Sequence, residues 1–270
     1  MKNALQTATN AVLSVQGLRQ NYGGVQALRG VDFELNAGEC VALIGPNGAG
    51  KSTCFACLAG QQQAVAGQVV WRGRDLQGVS VEQRTNLGVA RTFQVAQVFE
   101  ALTVLQNLQM VLQASRGVSM RDVLDHCGLE HAMHWIDQAG LSNLGSEMLR
   151  SPAARLSYGG KKRLELAMAM AGLPNPSEGL MLLDEPAAGL SPEERADMME
   201  RVKKMSDKGT TVLYTEHNMD AVFGVADRVL VLIDGQLVAQ GTAQDVANNA
   251  AVRERYLGQS FYYQRGDEHA

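Results

Sequence analysis

No run of about 18 apolar residues occurs in this 270-residue chain, so the sequence offers no segment able to cross a bilayer as a helix. The opening residues, MKNALQTATNAVLSV, lack a compact apolar stretch followed by a small-residue cleavage site. No export signal is read there, and a cytoplasmic address is expected. The four cysteines, Cys40, Cys54, Cys57 and Cys127, are too few to frame so long a chain with disulfides. Cations are not in excess: the formal charge is −4, which argues against a general nucleic-acid binder. Internal repeats, low-complexity tracts, long linkers and sustained heptads are all missing. What remains is a globular composition, 46% hydrophobic, long enough for one large domain or two small ones.

Short apolar runs alternate with longer helical patterns. VLSVQGL (12–18) and ALRGVDFEL (27–35) read as strands of a small N-terminal sheet. CVALIG (40–45) reads as a buried strand, and VVWRG (69–73) as another strand ending in a turn. From about Val95 to Leu173 the pattern is mainly helical. Buried strands return with GLMLLDE (179–185) and TTVLYTEH (210–217). DRVLVLIDGQLVAQG (227–241) reads as a hairpin turned at Asp234-Gly235. Strands separated by helices imply an α/β core, and the helical stretch inserted between them suggests a subdomain.

GPNGAGKS (45–52) fits G-x-x-x-x-G-K-[ST] without mismatch, after a strand and before a helix expected from about Lys51 to Ala59. Its glycines let backbone N–H groups turn toward a phosphate chain, and the helix directs its positive end at the same anion. Lys51 adds a point charge, and the Ser52 hydroxyl can ligate Mg²⁺. Gly45, Pro46, Asn47, Gly48, Ala49, Gly50, Lys51, Ser52 and the following Thr53 are therefore the candidate nucleotide ligands. Asp184 and Glu185 end the apolar run LMLLDE, where carboxylates are rarely left without a task. Asp184 is the candidate metal holder, and Glu185 the group that orients or deprotonates an attacking water. Gln94 in ARTFQ could touch Mg²⁺ and that water, and His217 in YTEHN could donate to a γ-phosphate. Both stand at strand ends, where such sheets gather their ligands.

LSYGGKKRLELA (156–167) reads as a small-residue turn feeding a helix, with Leu164, Met168 and Ala171 on one stripe. By itself the turn is either an anion-binding helix start or a cationic surface turn. Lys161, Lys162 and Arg163 are expected to face solvent or a neighbouring phosphate rather than nucleic acid. Cys54 and Cys57 lie one helical turn apart and are expected to be small buried helix residues, not a redox or zinc pair. His126, Cys127, His131 and His134 are expected on a partly exposed helix face.

Together these residues resemble the ATP-binding subunit of ABC transporters over nearly the full length. The family order is present: Walker A loop (45–52), Q-loop glutamine (Gln94), signature turn (156–160), Walker B strand (180–184) with Glu185, D-loop (188–191) and H-loop histidine (His217). The resemblance implies a P-loop NTPase (RecA-like) core with an N-terminal antiparallel β subdomain and an inserted helical subdomain. The whole chain would be one ATP-binding domain: β subdomain and core from 1–94 and 174–241, helical subdomain 95–173, C-terminal helix and tail 242–270. It implies ATP and Mg²⁺ as ligands and ATP hydrolysis as the activity. Tyr22 would stack on adenine, unless it is a packed core tyrosine. Ser157 and Gly159 would reach the ATP held by a second ATPase subunit, in a head-to-tail homo- or heterodimer.

The signature departs from the family's usual LSGGQ, since Tyr158 replaces a glycine and Gly160 a glutamine. Tyrosine does not easily take a positive φ, so Tyr158 is expected in an ordinary conformation with its ring turned aside. Ser191 stands where many relatives have aspartate. LSYG, ARTFQ, LTVLQNL, DEPAAGL and RERYLG are similar to the subgroup that imports branched-chain and related hydrophobic amino acids. That implies two membrane permease subunits, a solute-binding protein acting indirectly, and a place on the inner face of the cell membrane. Val98, Phe99 and Leu102 are either part of a permease groove or subdomain core. Other readings are an importer of another small solute such as urea or an amide, a soluble ABC-type ATPase as in iron–sulfur assembly, and a P-loop kinase.

Overall fold

A computed structural model describes residues 11–116 and 129–258. His126, Cys127 and the last twelve residues lie outside the described part. The chain opens with a long hairpin, β1 (Ala11–Tyr22) and β2 (Val25–Asn36), followed by β3 (Cys40–Ile44) and α1 (Lys51–Ala59). Next come β4 (Ala66–Trp71), β5 (Arg74–Asp75), α2 (Val81–Asn86) and β6 (Val89–Arg91). The helical stretch holds α3 (Val104–Arg116), α4 (Leu129–Gln138), α5 (Gly145–Leu149) and α6 (Tyr158–Ala171). Then follow β7 (Leu180–Asp184), α7 (Pro192–Asp207), β8 (Thr211–Thr215) and α8 (Met219–Phe223). The hairpin β9 (Arg228–Ile233) and β10 (Gln236–Gly241) and the short helix α9 (Ala243–Asn248) complete the core.

Two sheets form. Strands β2-β1-β4-β5 make an antiparallel sheet, and β10-β9-β3-β8-β7-β6 make a second one, parallel except for its β10 edge. In β3, β7 and β8 every residue is buried, as a strand covered on both faces requires. Their side chains alternate between two cores. Val41, Leu43, Leu182 and Leu213 meet α1 and the antiparallel sheet, while Ala42, Ile44, Met181 and Tyr214 meet α6 and α7. The helical stretch has an apolar cluster of its own, built on Val104, Leu108, Ile136, Leu164 and Met168. Helix α6 serves both, since Leu166 and Met170 face the sheet core.

The expected strands run a few residues longer at the N-terminal hairpin, because β1 and β2 pair along their whole length to Tyr22 and Val25. The hairpin at 227–241 does turn at Asp234-Gly235, both with positive φ, 50° and 75°. That is the backbone a tight two-residue turn needs.

Candidate functional site

The P-loop leaves the sheet at the buried end of β3. Gly45 takes φ 149° so close to the next strand that a Cβ would lie 1.9 Å from the Leu232 carbonyl oxygen. Gly50 takes φ 104°, and its Cβ would lie 2.4 Å from the Ala27 oxygen. Only glycine allows both approaches. The loop is tied to the β9–β10 turn by Gly235 N–H, which donates to the Ala49 carbonyl at 3.0 Å.

Helix α1 differs from its neighbours at the start. Ser80, Ser157, Ser191, Asn218 and Thr242 each cap a helix with a side-chain oxygen. Gly50 gives α1 no side-chain cap, and its first turn contains no acidic residue. The orphan N–H groups and the positive end of that helix are therefore left for an external anion. This local chemistry fits a phosphate chain. Lys51 is buried, with Nζ donating to the carbonyls of Gly45 at 2.7 Å and Pro46 at 3.0 Å. Burial lowers its pKa, and the charges of Glu185 and Asp184 pull it back.

At the end of β7, the Thr215 hydroxyl donates to Asp184 Oδ1 at 2.9 Å and accepts the Glu185 N–H at 3.0 Å. The β7–β8 pairing puts Asp184 opposite Thr215, which is why one hydroxyl serves both residues. Arg91, at the end of β6, pairs with Asp184 Oδ2 at 2.7 Å and lies over the rings of Phe55 and Phe93. Glu185 has φ 48°, unusual for a residue with a Cβ. Its Oε2 accepts from Gln94 Nε2 at 2.9 Å, and its Oε1 lies 2.9 Å from His217 Nε2. A carboxylate only accepts, so His217 Nε2 carries the proton. Gln94, Glu185 and His217 are thus brought together from three strand ends.

Ser157 caps α6, accepting the Gly160 N–H at 3.1 Å. Tyr158 opens that helix without a positive φ, its ring beside Gly189 and its hydroxyl donating to the Gln94 carbonyl at 3.2 Å. Tyr22 ends β1 and is 49% exposed, so it is not a core tyrosine. Val98 packs partly buried against the helical cluster, whereas Phe99 is half exposed. Cys54 and Cys57 are buried on α1.

One expectation is corrected. Lys161 pairs with Glu100 and Arg163 with Asp197 at the surface, but Lys162 turns inward and is 3% exposed. Its Nζ donates to the carbonyls of Phe93 at 3.1 Å and Glu185 at 3.2 Å. Arg91, Thr215 and Lys162 join the site only in the structure: no local pattern marks them, and the Asp184 partner of Arg91 stands 93 residues away.

A family model described as "ABC transporter" matches residues 28–188. The chain is 36% identical over 259 residues to the high-affinity branched-chain amino acid transport ATP-binding protein LivG of Salmonella typhimurium. That match covers 92% of this chain and 98% of LivG. It is 33% identical to the corresponding protein BraF of Pseudomonas aeruginosa, with the same coverage, 92% and 98%. Among solved structures it is similar to the ADP conformation of MJ1267, an ATP-binding cassette of an ABC transporter. The TM-score there is 0.80 at 28% identity, covering 93% of this chain and 100% of that one.

Proposed function

Because the chain belongs to the ABC transporter family, as an ATP-hydrolysing cassette, we propose that it is the motor subunit of an importer of branched-chain amino acids. The observation that carries the substrate class is the near-full-length likeness to two proteins named for that transport. The hydrolytic part rests on the geometry around Glu185.

ATP would lie with its phosphates on the P-loop amides and the start of α1, and with its adenine on Tyr22. Lys51 would exchange its loop carbonyls for phosphate oxygens. Glu185, flanked by Gln94 and His217, would take a proton from water as the water oxygen attacks the γ-phosphorus. The bond to the bridging oxygen breaks, and ADP leaves with that electron pair. The His217 Nε2–H, which meets Glu185 here, would turn to the γ-phosphate and stabilise charge there. Ser52, Gln94 and Asp184 offer hard oxygen donors of the kind Mg²⁺ prefers, although both Asp184 oxygens already accept a bond. When bound there, the ion would offset the negative charge of the phosphates.

In this reading two ATPase subunits, identical or not, close head to tail so that Ser157 and Gly159 face the partner's ATP. No described helix is long and apolar enough to cross a membrane. The subunit would therefore dock on two permease chains at the cytoplasmic face of the membrane, which receive substrate from a solute-binding protein. The test is Glu185→Gln in the full chain and in cells that depend on it. Nucleotide affinity stays, phosphate release falls roughly 10²- to 10⁴-fold, and uptake of labelled leucine, isoleucine and valine is lost. Parental hydrolysis by the variant would refute the role of Glu185. Loss of urea or amide uptake with leucine uptake intact would refute the substrate class.

A further inference from the structure

Lys162 is a buried ammonium whose two hydrogen bonds go to main-chain carbonyls, not to a carboxylate. Its charge is balanced at longer range by Glu165, Glu216, Glu185 and Asp184. Taking an ammonium out of water is unfavourable, and an apolar side chain would fill the same space at less cost. Both carbonyls belong to segments that carry reacting groups. Phe93 precedes Gln94, and the Glu185 carbonyl sits on a residue in a strained backbone conformation. Glu185 is thus held on both sides, its N–H by Thr215 and its C=O by Lys162.

Two more side chains of α6 hold the same segment. Glu165 accepts the N–H groups of Phe93 at 3.2 Å and Gln97 at 3.0 Å. Tyr158, one of the two departures from the signature pattern, donates to the Gln94 carbonyl. Lys162 Nζ lies 6.0 Å from the centre of the Tyr158 ring, so the two work from one surface.

We propose that Lys162 and Tyr158 are positioning residues: from the first turns of α6 they set the aim of the Glu185 carboxylate and the Gln94 amide. The proposal rests on the hydrolytic role given to Glu185 above. It also gives Tyr158 a task inside its own chain, so the lost glycine is exchanged for a strut between α6 and the Gln94 segment.

The test is a pair of double-mutant cycles on the full-length chain, read as single-turnover ATP hydrolysis, nucleotide Kd and melting temperature. Lys162→Met lowers the rate on the order of 10-fold or more, with Kd unchanged. In a Glu185→Gln background the same change has no further effect, because Lys162 acts through Glu185. Lys162→Arg recovers part of the rate. Tyr158→Phe lowers the rate a few-fold, and not at all in a Gln94→Ala background. The proposal is overturned if Lys162→Met lowers the melting temperature but leaves the rate alone, or if its loss multiplies with that of Glu185→Gln. Should Lys162→Met fail to fold, the tyrosine cycle decides, since Tyr158 is 42% exposed and its hydroxyl can be removed without opening a cavity. If Glu185→Gln itself hydrolyses like the parent, the hydrolytic reading fails instead, and the two failures are told apart.

Discussion

Glu185 pays for its backbone conformation with about 1–3 kcal/mol of strain, and three different elements hold it there. Thr215 on β8 takes its N–H, Lys162 on α6 its carbonyl, and Gln94 and His217 its carboxylate. A strained residue fixed from several directions keeps its side chain aimed without reorganising during reaction. The cysteines show the opposite kind of residue. Burial pushes the Cys40 thiol up to about 12 and the Cys57 thiol up to about 11, and raises fully buried Cys54 as well. Thiolate is the reactive form, so these three stay inert at neutral pH. Iodoacetamide applied to the folded chain at pH 8 should leave all three unmodified by peptide mapping, and all three should react once the chain is unfolded. Labelling of Cys54 or Cys57 before unfolding would contradict their burial.

At the scale of elements, the P-loop helix is free at one end and locked at the other. Its start offers bare N–H groups, while its C-terminal carbonyls are held by Arg84 from α2. Arg84 donates to Cys57 at 2.8 Å, Leu58 at 2.6 Å, Leu76 at 2.6 Å and Val79 at 3.0 Å. Arg84→Met should destabilise the chain by on the order of 3 kcal/mol, because it strands buried acceptors. Urea denaturation monitors the loss, and an unchanged midpoint would contradict the locking role. This residue also marks where sequence reading stops. The P-loop was legible because its chemistry is local: a strand, glycines, then Lys-Ser within eight positions. The turn at Asp234-Gly235 was legible for the same reason. Arg84, Arg91 and Lys162 were not, because the partners that give them their roles stand 23 to 93 residues away and only the folded sheet brings them close. Lys162 was further disguised by its charged neighbours Lys161 and Arg163, which do lie nearer the surface.

Across the whole molecule, the parallel sheet separates two apolar cores, and the ends of β3, β6, β7 and β8 deliver the site. Helix α6 packs into both the sheet core and the helical cluster while its first turns hold the Gln94 segment. A force applied to the helical stretch therefore has a short route to Glu185. That is the layout a motor needs if a docked permease is to sense nucleotide. If this chain works on a membrane permease, the tagged protein recovered from gently solubilised membranes brings that permease with it, and mass spectrometry identifies what accompanies it. The expected result is two apolar permease chains together with a second ATPase, with the associated solute-binding protein naming the substrate. Recovery from the soluble fraction alone, with no membrane chain attached, would contradict it.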